Sequence, residues 1–173
     1  MEEKSTSTFK FSLMYGLMTG AAVIVLSLVF YVIDLPIDSP IAKWSPYLIF
    51  IGGMVYGAHV YKNEIGNGFM TYGKAFGVSY LVAIIAAFMA AIYAFIFISY
   101  IDPSVITTSL ELAEQNMLDQ GTMSDAQIDS ALEMTGRFMN PTMMSIMAFV
   151  MNAIILAVIG LVSSIFVKKE EEI

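Results

Sequence analysis

Three carboxylates set four residues apart, Asp125, Asp129 and Glu133, form the pattern in this chain with the most direct chemical meaning. On a helix that spacing brings them to one face, and carboxylate oxygens are the ligands that Ca²⁺ and Mg²⁺ favour. The same stripe also describes a solvated face that holds a segment off an anionic membrane surface. No EF-hand pattern or glycine-turned ligand loop accompanies it, so the expectation is a solvated face, with the three acids kept as metal candidates. Few other groups could act chemically. His59 is the single histidine and there is no cysteine, which removes thiol catalysis, disulfides and cysteine-ligated metal centres. A metal or haem role for His59 ordinarily needs a second histidine, and nothing places a serine or threonine beside it as a nucleophile. No catalytic residue, no cofactor and no nucleic-acid partner is expected.

The elements that carry these residues follow from the apolar content. At 58% apolar and 13% charged over 173 residues, the chain is too apolar for a soluble domain of its size. A membrane span needs about 20 apolar residues to cross roughly 30 Å of hydrocarbon. Residues 11–33, 75–100 and 141–167 meet this without a charge. A shorter run, 45–61, is bracketed by Lys43 and Lys62 and contains His59 and Gly52-Gly53. It reads as a short span suited to a thin bilayer, with a re-entrant hairpin as the alternative. The first run, preceded by Lys4 and Lys10, could also be a signal peptide. Its uninterrupted length, and Asp34-Leu35-Pro36 where small cleavage-site residues would stand, favour a retained helix. The expected fold is therefore an all-α integral membrane protein, a single membrane domain over 1–173 with four transmembrane helices in a bundle.

Lysine and arginine accumulate on the cytoplasmic side because positive segments resist translocation. With the N-terminus inside, that side holds Lys4, Lys10, Lys62, Lys74, Lys168 and Lys169, leaving only Lys43 and Arg137 outside. Both termini are expected in the cytoplasm of a cell bounded by this inner (plasma) membrane. Tyr31, Trp44, Tyr47 and Tyr100 would form the outer aromatic belt and Tyr15, Tyr61 and Tyr72 the inner one.

The gap before the last span, residues 102–140, gathers seven acids against Arg137. Asp102-Pro103 reads as a helix start and Gly121 as its stop, with Ile106, Leu110, Ala113 and Met117 along one face. Ser124 and Gln127 form a capping box, followed by a second apolar face of Ile128, Ala131, Leu132, Thr135, Phe138 and Met139. The segment is expected to be an extracytoplasmic helical hairpin with its seam buried and its acids outward.

Within the spans, helices in lipid associate through close backbone approach, so small residues mark contacts. The expected packing residues are Gly16, Gly20, Gly53, Gly57, Gly73, Gly77, Ala153, Ala157 and Gly160. No Asp, Glu, Lys or Arg lies inside a span, which removes the groups that proton pumps and voltage sensors use. Asn152, mid-span, is expected to hydrogen-bond to another helix, and His59 to sit at the inner interface. Gly66 and Gly68 suit a tight turn, after which Phe69-Met70-Thr71-Tyr72 could lie along the headgroups. Tyr15-Gly16-x-x-x-Gly20 and Tyr72-Gly73-x-x-x-Gly77 open two spans alike, either by chance or as the remnant of a duplicated helix pair.

In arrangement the chain resembles a bacterial membrane family, seen mainly in Bacteroidota, known as domain of unknown function 4199. The matching residues are Tyr15-Gly16-Leu17-Met18-Thr19-Gly20, Gly68-Phe69-Met70-Thr71-Tyr72-Gly73-Lys74-Ala75-Phe76 and Asn140-Pro141-Thr142-Met143-Met144. The resemblance implies a four-helix inner-membrane protein and no activity. A non-enzymatic protein acting through association, with a membrane-protein partner or as a homo-oligomer in the lipid bilayer, is the expected function. The alternative is a small oligomeric channel or transporter whose acidic outer lobe attracts cations.

Overall fold

The computed structural model describes residues 7–169; Lys4, counted above in the orientation, lies outside them. Six α-helices occupy the described residues: α1 (Thr8–Val32), α2 (Pro40–Glu64), α3 (Tyr72–Ile96), α4 (Ser104–Gln120), α5 (Asp125–Phe138) and α6 (Pro141–Val167). A π-helical stretch, Phe97–Ile101, continues α3. Three helices are long and apolar enough to cross a membrane: α1, Tyr72–Ile101 and α6.

The expected second span turns out to be the middle of a longer helix. α2 starts at Pro40, where the missing N–H would have no helical partner anyway, and Ser39 Oγ accepts from Ala42 N at 3.2 Å. The helix then runs without a break through Pro46 and Gly52-Gly53 to Glu64, so a single helix replaces the hairpin alternative. Its glycines, tyrosines, His59 and polar ends leave it less apolar than the other three long helices.

The chain divides into two compact units, one of residues up to Ala90 together with those from Val150, the other Ala91–Phe149. In the first unit, close approaches fix the helix directions. Thr8 Oγ1 lies 3.0 Å from Tyr61 OH, while a Cβ on Gly57 would meet Tyr15 at 3.4 Å and one on Gly53 would collide with Thr19. α1 and α2 are therefore antiparallel along most of their length. A Cβ on Gly16 would come within 2.7 Å of Ile85 and one on Gly20 within 3.0 Å of Met89, so α1 and α3 run parallel. α6 runs antiparallel to α3 and parallel to α2. A Cβ on its Gly160 would meet Met54 at 3.2 Å and Phe76 at 3.3 Å, Tyr72 OH donates to Leu161 O at 2.9 Å, and Lys62 Nζ donates to Val167 O at 3.1 Å. The α3 stripe at the centre, Ala75, Val78, Ser79, Val82, Ala83, Ala86 and Ala87, is buried and follows the three- and four-residue alternation of one helix face.

In the second unit α4 packs against both the π-helical stretch and α5. Asp102 Oδ1 accepts from Ser104 N at 3.1 Å, capping α4 as expected although the helix proper begins after Pro103. Gly121, at φ 61°, ends it in the left-handed conformation that glycine adopts without a Cβ penalty. At the start of α5 the Ser124 N–H and hydroxyl both donate to Gln127 Oε1, at 2.9 and 3.1 Å. The expected apolar faces are the sheltered ones. Ile106, Leu110, Ala113 and Met117 are half-buried; Ile128 is buried, and Ala131, Leu132, Thr135 and Met139 are half-buried beside it. Phe138 departs from the expectation and is 59% exposed, because it lies about 80° from Ile128 around the helix. Asn140 Oδ1 accepts from Met143 N at 2.9 Å, capping α6 at its Pro141 start.

Candidate functional site

Of the small residues expected at helix contacts, Gly16, Gly20, Gly53, Gly57 and Gly160 lie where an added Cβ would meet another helix at 3.2 Å or less. Gly73 and Gly77 do not: among the described residues nothing lies within 4 Å of a Cβ at either. Their expected packing role is corrected by phase, since the buried stripe of α3 runs through Ala75, Val78 and Ser79, and Gly77 is about 200° round the helix from Ala75. Ala153 and Ala157 are half-buried, flanking the buried positions Leu156, Gly160, Ser163 and Ser164. The supposed repeat is unequal in use: the Tyr-Gly-x-x-x-Gly of α1 is a seam and that of α3 faces open space.

The intramembrane polar residues are also redistributed. Asn152 is half-buried, and among the described residues no hydrogen bond joins it to another helix. His59 is exposed, with Nε2 2.9 Å from Asn63 Nδ2. Three hydroxyls inside the first unit donate to backbone carbonyls: Thr19 to Tyr15 O at 2.8 Å, Ser79 to Met54 O at 3.4 Å and Ser164 to Gly160 O at 2.6 Å. Among the described residues Ser12 Oγ is buried without a hydrogen-bond partner.

Asp125, Asp129 and Glu133 are all exposed, and Glu133 Oε1 accepts from Arg137 at 2.7 Å. Among the described residues no group of three or more histidine or carboxylate side chains is placed to hold a metal ion.

What the structure does assemble is the end of the first unit where α1 and α3 begin and α2 and α6 finish. Lys74 Nζ donates to Thr8 Oγ1 at 2.8 Å and stands 5.3 Å from the centre of the Tyr61 ring. Phe11 meets Tyr61 edge-on at 5.1 Å and Tyr15 at 4.6 Å. Lys62 caps the last turn of α6 through Val167 O, where a cation also opposes the helix dipole. Asn67 (φ 49°) and Gly68 (φ 87°) turn the chain back, and Met70 then exchanges backbone hydrogen bonds with Lys169, at 2.7 and 2.9 Å. Met70 is buried in this cluster, whereas Phe69 and Thr71 beside it are exposed. Both lysines donate to uncharged oxygens. The set can tie helix ends and hold positive charge at one level.

These ties escaped the sequence reading because each joins residues far apart in the chain. Only the shared inner-belt position of Tyr15, Tyr61 and Tyr72 with Lys62 and Lys74 hinted at them.

Among the described residues, six helices, three of them long and apolar enough to cross a bilayer, define an all-α multi-pass membrane protein. The model of a family described as protein of unknown function, DUF4199, matches residues 14–169, and the chain belongs to that family. No curated protein and no solved structure matches it.

Proposed function

We propose that the chain is a four-span inner-membrane protein with both termini in the cytoplasm and α4–α5 as an extracytoplasmic acidic hairpin, and that it works without catalysis, by association with another membrane protein or with further copies of itself. The fourth crossing is supported by direction. α1 and α3 run parallel, so if both cross, the chain must recross between them, and α2 is the helix that lies there. At about 1.5 Å per residue its 25 residues reach about 37 Å, enough for the hydrocarbon core. The lysine-bearing end described above is then the cytoplasmic one.

The observation that carries the association reading is where the polar groups are. The hydroxyls of Thr19, Ser79 and Ser164 serve the first unit's own backbone, whereas the acids of α4 and α5 from Glu111 to Glu133 are exposed. They form a surface that the fold leaves available to a partner of opposite charge. Photocrosslinkers placed at Asp129 and, for comparison, at lipid-facing Val158 test this in intact cells. A discrete adduct at Asp129 that disappears when the flanking Asp125 and Glu133 are charge-reversed supports association. No adduct from either position, together with ion flux in liposomes containing only this protein, would favour the channel instead.

A further inference from the structure

We infer that α4–α5 lies against the outer surface of the lipid bilayer, with Met134 and Phe138 among the headgroups and the acids turned to water. The side of the membrane rests on the topology proposed above; the lipid contact does not. Met134 and Phe138 are one turn apart on α5 and stand 63% and 59% exposed, the largest apolar side chains left open on that helix. Asp125, Asp129 and Glu133 occupy the opposite flank, roughly 160° away around the axis.

α4 follows this division in charge but not in apolar side chains, since Leu118, 54% exposed, stands on the side of the acids. The two helices touch and are joined by four residues, so they run antiparallel, and flanks of the same rotational sense face the same way. On the side of Met134 and Phe138, α4 carries Val105, Ser109, Asn116 and Gln120, none of them charged. Glu111 and Glu114 lie on the side of the acids, and Asp119 on the back. The hairpin thus has one charge-free side and one acidic side, the distribution of an element lying in a membrane interface. An apolar flank in isolation does not say what covers it, but its position does. Phe138 is three residues before Pro141, the first residue of a candidate span, so it is at most about 10 Å of chain from that start. The headgroup layer is roughly 5–7 Å deep on each side, and Met134 is about 6 Å further along α5. At the other attachment of the same unit, Tyr100 and Ile101 are exposed at the end of the π-helical stretch, as interfacial side chains are. Turning the acids away also avoids placing them on anionic lipid.

The chain has no cysteine, so single nitroxide labels can be placed on Met134→Cys, Phe138→Cys and Asp129→Cys in the full-length protein reconstituted into phosphatidylcholine vesicles. Collision with oxygen, which concentrates in lipid, is compared with collision with a water-soluble nickel chelate. Labels at 134 and 138 are expected to favour oxygen several-fold more than the label at 129. Equal preference at all three sites overturns the proposal. Shielding of 134 and 138 from both reagents with spin–spin broadening overturns it too, and assigns the flank to a second copy. Labelling of Ser124→Cys by an impermeant thiol reagent in intact cells reports the side separately. An unlabelled Ser124→Cys with oxygen-favouring labels at 134 and 138 removes the topology and leaves the lipid contact, and the converse removes the lipid contact alone.

Discussion

In the unit built from residues up to Ala90 and from Val150, backbones approach until a methyl group no longer fits at Gly16, Gly20 or Gly53. In the unit of Ala91–Phe149, α4 has no fully buried side chain and α5 has only Ile128. The first is held by contact between surfaces that are equally apolar inside and out, so hydrophobic exclusion cannot select its seams and small residues must. The second is an amphipathic helix pair with charge on one flank, whose seam depends on removing a few apolar side chains from water. On the topology proposed above, the two units meet different solvents, and the same change should have different costs in each.

The sharpest break in this comparison is a large side chain at a tight contact. Gly53→Leu would drive a side chain into Thr19 and is expected to cost at least about 1–3 kcal/mol, the usual range for overpacking, seen as loss of folded protein in mixed-micelle unfolding. Gly73→Leu, in the same type of motif but facing open space, is expected to be close to neutral in that assay. Equal losses at the two positions would remove the distinction between seam and non-seam glycines.

Ile128→Ala probes the second unit. Truncating its one buried α5 residue is expected to cost about 2 kcal/mol, and to show as faster proteolysis within α4–α5 while the helices of the first unit stay protected. A smaller effect is expected for Lys74→Met, which removes the hydrogen bond to Thr8 and the contact with the Tyr61 ring, together about 1 kcal/mol. Ser12→Ala takes away a buried hydroxyl that has no partner and should be neutral or stabilising by up to about 1 kcal/mol. Arg137→Ala breaks an ion pair whose side chains are about three-quarters exposed, and should change stability by less than about 0.5 kcal/mol.

The sequence was most legible where local chemistry decides. Asn140-Pro141 set the start of α6, Gly121 ended α4, and the spacing of Ile106, Leu110, Ala113 and Met117 identified the sheltered face of α4 before any coordinates. It was least legible where rotation about a uniformly apolar helix decides. Nothing in Tyr72-Gly73-x-x-x-Gly77 distinguishes it locally from Tyr15-Gly16-x-x-x-Gly20; only the alanine stripe from Ala75 to Ala87 puts the first pair on the outside. α2 was underestimated because its polar ends masked six or more helical residues. The lysine ties to Thr8 and Val167 were hidden because they depend on which helix ends meet.

The central claim is that α2 crosses the membrane and thereby places α4–α5 outside. Treating intact cells that express Ser124→Cys with a membrane-impermeant thiol reagent tests it most directly, because a chain whose α2 does not cross keeps that residue in the cytoplasm. The account predicts labelling of Ser124→Cys in intact cells and none of Lys168→Cys until the cells are opened. Labelling of Lys168→Cys in intact cells with Ser124→Cys protected would contradict it.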